Sequence, residues 1–145
     1  MSIALRHFGI VVADLERALD FYGGLLELKV IRRMDEHGPF VDSILGKTAV
    51  RVTTVKMGGS SGETLLELLK FHSPTVMEQS NGRGLFSIGP THLALTVGDL
   101  DALSGRLRAA GIRFISPPQV SVDGLAKVCF CSDPEGTPIE LVQLL

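Results

Sequence analysis

A chain of 145 residues, 45% hydrophobic and 21% charged, has the composition of an ordinary globular protein and the length of one compact domain or two small modules. Its formal net charge of −2 leaves no basic footprint for nucleic acid or an anionic membrane surface. No apolar run approaches the roughly 20 residues that a membrane span needs.

The opening MSIALRHFGI runs straight into a strand pattern, with neither a basic n-region nor an apolar h-region, so no signal peptide and a cytoplasmic location are expected. Leu5–Val12 alternates as a strand, with Phe8, Ile10 and Val12 on one face. Asp14 has the chemistry of a helix N-cap, and Leu15, Ala18, Leu19, Tyr22 and Leu25–Leu26 then recur at helical spacing until Gly23-Gly24 weakens the end. Glu27–Arg33 reads as a second strand, and Asp35–Gly46 as a loop carrying a helical turn. Val50–Met57 and Thr64–Phe71 read as strands joined through GGSSG. His37 and His72 fall in segments read as solvated loops.

Residues from about 73 to 88 are polar and contain Pro74, Asn81-Gly82 and Gly84, which suits a linker between a first module (about 1–72) and a second (about 89–145). Gly89–Val97 reads as a strand. Asp99 caps a helix whose apolar stripe is Leu100, Leu103, Leu107 and Ala110, with Gly111 at its stop. Arg113–Ile115 suits a short strand, Ala126–Cys131 another, Asp133-Pro134-Glu135-Gly136 a turn, and Pro138–Leu144 the last strand. Cys129 and Cys131 are the only cysteines; their i, i+2 spacing is poor disulfide geometry, so reduced thiols are expected, a CxC metal site being the other use of such a pair.

The chain states its central pattern twice. Residues 7–15 read HFGIVVADL and 92–100 read HLALTVGDL, each followed by an amphipathic run and, later, by an apolar strand holding one Glu: Glu67 in LLELL and Glu140 in PIELVQ. The His-to-Glu separation is 60 residues in the first copy and 48 in the second, the difference lying mostly in Asp35–Gly46. Each half reads β-α-β-β-β, an α+β arrangement.

Strand alternation then assigns faces. The neighbours of the four polar residues are Phe8, Leu66, Leu68, Leu93, Ile139 and Leu141, which belong against helices. His7, Glu67, His92 and Glu140 therefore point to the opposite face, among Gly9, Val11, Leu65, Leu69, Ala94 and Val142. Convergent polar groups in an apolar concavity describe a small-molecule site. Unpaired carboxylates there would be costly to keep ionised, and one divalent cation (Zn, Ni, Co, Mn or Fe) bound by two imidazoles and two carboxylates removes that cost. Arg51 and Lys127 are candidates to hold an anionic substrate group.

These motifs (HFGIVVADLERALDFYGGLLEL, TLLELLKFHSP, THLALTVGDL and FCSDPEGTPIELVQ) resemble the vicinal oxygen chelate superfamily of glyoxalase I, methylmalonyl-CoA epimerase, extradiol dioxygenases and the fosfomycin and bleomycin resistance proteins. The resemblance implies paired βαβββ modules forming an open, curved mixed-sheet barrel, a homodimer, and metal ligands at His7, Glu67, His92 and Glu140. It implies a metal-dependent lyase or isomerase of the glyoxalase I or methylmalonyl-CoA epimerase type, with proton transfer next to a carbonyl through a metal-stabilised enediolate and Glu140 or Glu67 moving the proton. Val11 and Phe71 stand where bacterial glyoxalase I carries its glutathione-binding Arg and Asn. Gly46-Lys47-Thr48-Ala49 offers no equivalent of the epimerase's dedicated Glu base. Two other readings belong to the same resemblance: an Fe(II) extradiol-type dioxygenase using His7, His92 and Glu140, and a non-catalytic binding module.

Overall fold

The computed structural model describes residues 3–77 and 84–145, in two compact units, Met1–Glu78 and Gln79–Leu145. Asn81-Gly82, part of the expected linker, lies outside the described residues.

The first unit runs β1 (Phe8–Val11), α1 (Leu15–Leu19), a π-helical segment (Asp20–Leu25), β2 (Lys29–His37), α2 (Pro39–Leu45), β3 (Arg51–Gly58) and β4 (Thr64–Ser73). Its sheet order is β1-β4-β3-β2, with β1 parallel to β4 and the other pairs antiparallel. The second unit runs β5 (Leu93–Thr96), α3 (Leu100–Ala109), β6 (Gln119–Val120), β7 (Ala126–Ser132) and β8 (Pro138–Leu144), in the order β5-β8-β7-β6. Its pairings have the same directions. The fold is α+β, built of two four-stranded mixed sheets.

Local chemistry repeats with the topology. The Asp14 carboxylate accepts from the Arg17 backbone N–H at 3.0 Å, and Asp99 accepts from Ala102 N–H at 2.9 Å, each cap stabilising its helix by about 1 kcal/mol. The strand ahead of each cap ends on matching bonds: Val12 N–H donates to Leu69 O at 2.9 Å and Val97 N–H to Val142 O at 2.8 Å. Leu66, Leu68, Ile139 and Leu141 are fully buried on the helix side of their sheets, each burial contributing about 1.5–3 kcal/mol.

The structure departs from the sequence reading in several places. Leu26 N–H donates to Phe21 O, an i→i−5 bond, so the first helix widens into a π turn through Gly23-Gly24 while Phe21 and Tyr22 stay buried edge to face. β2 continues through Asp35–His37, and the inserted segment is a helix of its own, α2. Pro39 stands in its first turn, Gly46 at φ +62° ends it, and the Asp42 carboxylate accepts from Ala49 and Val50 N–H. His72 lies within β4, its Nε2 2.8 Å from Thr53 Oγ1, which donates to Asp35 at 2.5 Å; it is not in a loop.

In the second unit, β5 is shorter than expected because pairing with β8 covers only Leu93–Thr96. Arg113–Ile115 is not a named strand, although it bonds to β7 through Ile115 N–H to Phe130 O and Ser132 N–H to Arg113 O; the third strand is instead Gln119–Val120. Ala110 is exposed as the C-cap of α3, outside the buried stripe of Leu100, Leu103 and Leu107. Gly111, at φ +83°, ends the helix with Ile112 N–H donating to Leu107 O.

The β3–β4 turn contains a close approach. A Cβ on Gly58 would stand 2.1 Å from Glu63 O and 2.7 Å from Ile31 Cδ1, whereas one on Gly59 would meet only Leu65 Cδ1 at 3.5 Å. Gly58→Ala is expected to destabilise the protein by about 1–3 kcal/mol, and Gly59→Ala by well under that. Urea midpoints of the two variants measure the difference, and equal midpoints would contradict the packing.

Candidate metal centre

The parallel register sets the chemistry of each unit. β1 lies on β4 with Gly9 beside Glu67, and β5 lies on β8 with Ala94 beside Glu140. The residue two positions ahead, His7 or His92, therefore arrives next to the carboxylate from the end of the neighbouring strand. His7 Nε2 stands 3.0 Å from Glu67 Oε2, and His92 Nε2 stands 3.1 Å from Glu140 Oε2. The same two atoms meet in both units.

All four side chains are largely covered, from 16% exposed for Glu67 to 33% for His92. Their surroundings are apolar and open: Val11 is 50% and Leu65 39% exposed on the Glu67 face, whereas Leu66 and Leu68 on the other face have no exposure. Within each unit the structure thus brings together the pair that the sequence pattern singles out. Among the described residues no three His, Cys, Asp or Glu gather into a metal-holding group, so each unit by itself offers two donors.

The imidazole nitrogen and carboxylate oxygen of each unit are donors of the kind a borderline divalent metal takes. Ligands about 2.1 Å from a shared ion at right angles lie about 3 Å apart, which the two separations match. An imidazole N–H donating to a carboxylate gives a similar distance. The rings are held differently. His92 Nδ1 has Thr91 Oγ1 at 2.8 Å, and Phe130 packs edge-on at 5.3 Å between centroids. His7 Nδ1 is buried and has no partner among the described residues; Arg6, in the place of Thr91, has no acceptor to offer.

Neither Arg51 nor Lys127 stands beside the His–Glu pairs. Lys127 pairs with Gln143 in register, alternates with Val128 and Phe130, and gives its Nζ to Asp101 of α3 at 2.5 Å. It is a strand-to-helix tie on the side opposite Glu140. Arg51 sits at the far end of β3, paired with Ser73 beyond a register irregularity, whereas the β3 residue opposite Glu67 is Lys56. Two residues that the sequence reading passed over do share the carboxylate faces: Lys56, directly across from Glu67, and Phe130, directly across from Glu140. Strand alternation counted outward from each Glu would have found both, once the register was known.

The second CxC reading also fails on chemistry. Cys129 and Cys131 are buried free thiols on the helix side of β7. Burial pushes the Cys129 thiol up and, helped by the neighbouring Cys129 and Asp133, pushes Cys131 up to about 12. Neither is a thiolate ready to ligate or attack.

A protein-family model described as the Glyoxalase/Bleomycin resistance protein/Dioxygenase superfamily matches residues 4–141. The chain belongs to that superfamily. Among its relatives are a probable lactoylglutathione lyase of Synechocystis sp. (28% identical, 96% of this chain and 94% of the relative) and the lactoylglutathione lyase of Pseudomonas aeruginosa (30% identical, 95% and 81%). A third is the 2-epi-5-epi-valiolone epimerase of Actinomyces sp. (28% identical, 99% and 80%). The fold matches a glyoxalase family protein of Bacillus cereus with a TM-score of 0.90 at 22% identity, covering 100% of this chain and 96% of that one.

Because the folded state favours the neutral thiols, their contribution is fully present below about pH 9 and is lost as pH rises toward about 12. Iodoacetamide at pH 8 is expected to leave both cysteines of the native protein unmodified and to label two per chain in urea. Labelling of the native protein at the unfolded rate would overturn the burial.

Proposed function

We propose that this chain is a metal-dependent lyase or isomerase that moves a proton at a carbon next to a carbonyl, with His7, Glu67, His92 and Glu140 together holding one divalent cation. The observation that carries this reading is the duplicated Nε2–Oε2 pair at 3.0 and 3.1 Å, reached through identical registers in two repeats. A duplicated salt bridge with only a structural role would sit as well on any exposed strand, whereas both of these lie on apolar, partly open sheet faces. The relatives named as lactoylglutathione lyases and as an epimerase support the same reaction class.

A divalent cation held by these residues supplies Lewis-acid charge beside a substrate carbonyl oxygen, making the adjacent C–H more acidic. The chain's own part is the proton. Glu140 or Glu67 accepts it on a carboxylate oxygen and returns it to the neighbouring carbon or to the other face of the same one, the first outcome being isomerisation and the second epimerisation. Thr91 Oγ1, 2.8 Å from His92 Nδ1, fixes the orientation of that ring. The flanking Val11, Leu65, Ala94 and Val142 limit water access when a substrate lies on the face.

Elemental analysis of the purified full-length protein tests this directly. Near-stoichiometric Ni, Zn or Co is expected, with more than about tenfold weaker retention in both Glu67→Gln and Glu140→Gln. Solvent-hydrogen exchange into 2-oxoaldehyde–thiol adducts or acyl-CoA epimers should follow the metal. Iron with catechol ring cleavage would replace this reading by the dioxygenase one. Absence of metal after reconstitution would sink it.

A further inference from the structure

The two repeats differ in charge along the row of residues that runs through each Glu. Across the second sheet the row through Glu140 reads Ala94, Glu140, Phe130; across the first the row through Glu67 reads Gly9, Glu67, Lys56, Arg32. Lys56 is half-buried and Arg32 exposed, and among the described residues neither has an ion-pair partner. Glu67, the carboxylate directly opposite Lys56, is engaged with His7 instead.

Two cations directly opposite each other on adjacent strands repel, and a sheet gains nothing by placing them so. Three nearby carboxylates are used elsewhere: Glu16 pairs with Arg33, Glu36 accepts from Thr54, and Asp35 accepts from Thr53. A half-buried lysine opposite Glu67, with no ion-pair partner among the described residues, is placed to take a ligand anion.

We infer that Lys56, backed by Arg32, binds an anionic oxygen group (a carboxylate or phosphate) of the substrate beside the His7–Glu67 pair, so that the substrate class is an anionic carbonyl compound. This rests on the proposed function for the word substrate, but the anion site itself does not depend on a bound metal. Lys56 would orient the anion, leaving the reacting carbon toward Glu67.

The test is a titration of metal-stripped, full-length protein with malonate and with its neutral analogue malonamide, followed through backbone amide shifts of Lys56 and Glu67. Malonate should saturate, weaken by about tenfold or more in Lys56→Met and by only about threefold or less in Lys56→Arg, while malonamide should not saturate at all. Thermal melts confirm that both variants fold. Metal retention should be unchanged in Lys56→Met, which separates the two readings: malonate binding without metal binding refutes the metal centre alone. An unchanged affinity in Lys56→Met, equal binding of malonamide, or no saturation in the wild-type protein would each overturn the anion site.

Discussion

Parallel pairing of each module's first strand with its last is the constraint on which the rest of the structure depends. It brings a residue lying just ahead of the first strand beside the middle of the last one, and so makes a His–Glu pair from residues far apart in sequence. Because side chains alternate along a strand, a slip of one position would turn Glu67 or Glu140 into the helix layer and bring a leucine or isoleucine out. Burial of Leu66, Leu68, Ile139 and Leu141 on the helix side opposes that slip. The hydrophobic core therefore holds the register, and the register holds the His–Glu pairs.

Much of this was legible because the chain repeats itself. The His, the capping Asp and the strand-borne Glu recur at matching places, and alternation around each Glu correctly assigned its face. What escaped depended on information that crosses strands. Arg51 and Lys127 were chosen for their charge on strands of the right kind, but their faces depend on pairing with β4 and β8, which a single strand does not reveal. Lys56 was overlooked for the same reason, lying next to a glycine turn and a register shift. The extension of β2 and the formation of α2 were hidden because Asp35–Gly46 looks like an insertion; only the Asp42 contacts to Ala49 and Val50 make it a packed element. The π turn needs the burial of Phe21 and Tyr22 to explain it, since Gly23-Gly24 suggests only an ending.

The duplication is close in backbone and loose in side chains. Thr91 against Arg6, Phe130 against Lys56, and α2 present in one unit only show two equivalent frames carrying different surroundings for the same pair. The pair is held by the strand register that the two units share, and its neighbours are set by the side chains in which they differ.

The strand order has a further consequence for how the chain acquires its shape. β1 precedes the other strands of its unit but has no sheet neighbour until β4 follows, because β4 is the strand it pairs with in that sheet. The local pairings of β2 with β3 and β3 with β4 carry short loop-closure costs and can form early, while docking of β1 closes a loop spanning nearly the whole unit. The His–Glu pair is thereby among the last contacts completed in each half. A nascent chain cut short of its fourth strand would present an imidazole with no carboxylate beside it, so competence at the site is coupled to completion of the unit that bears it.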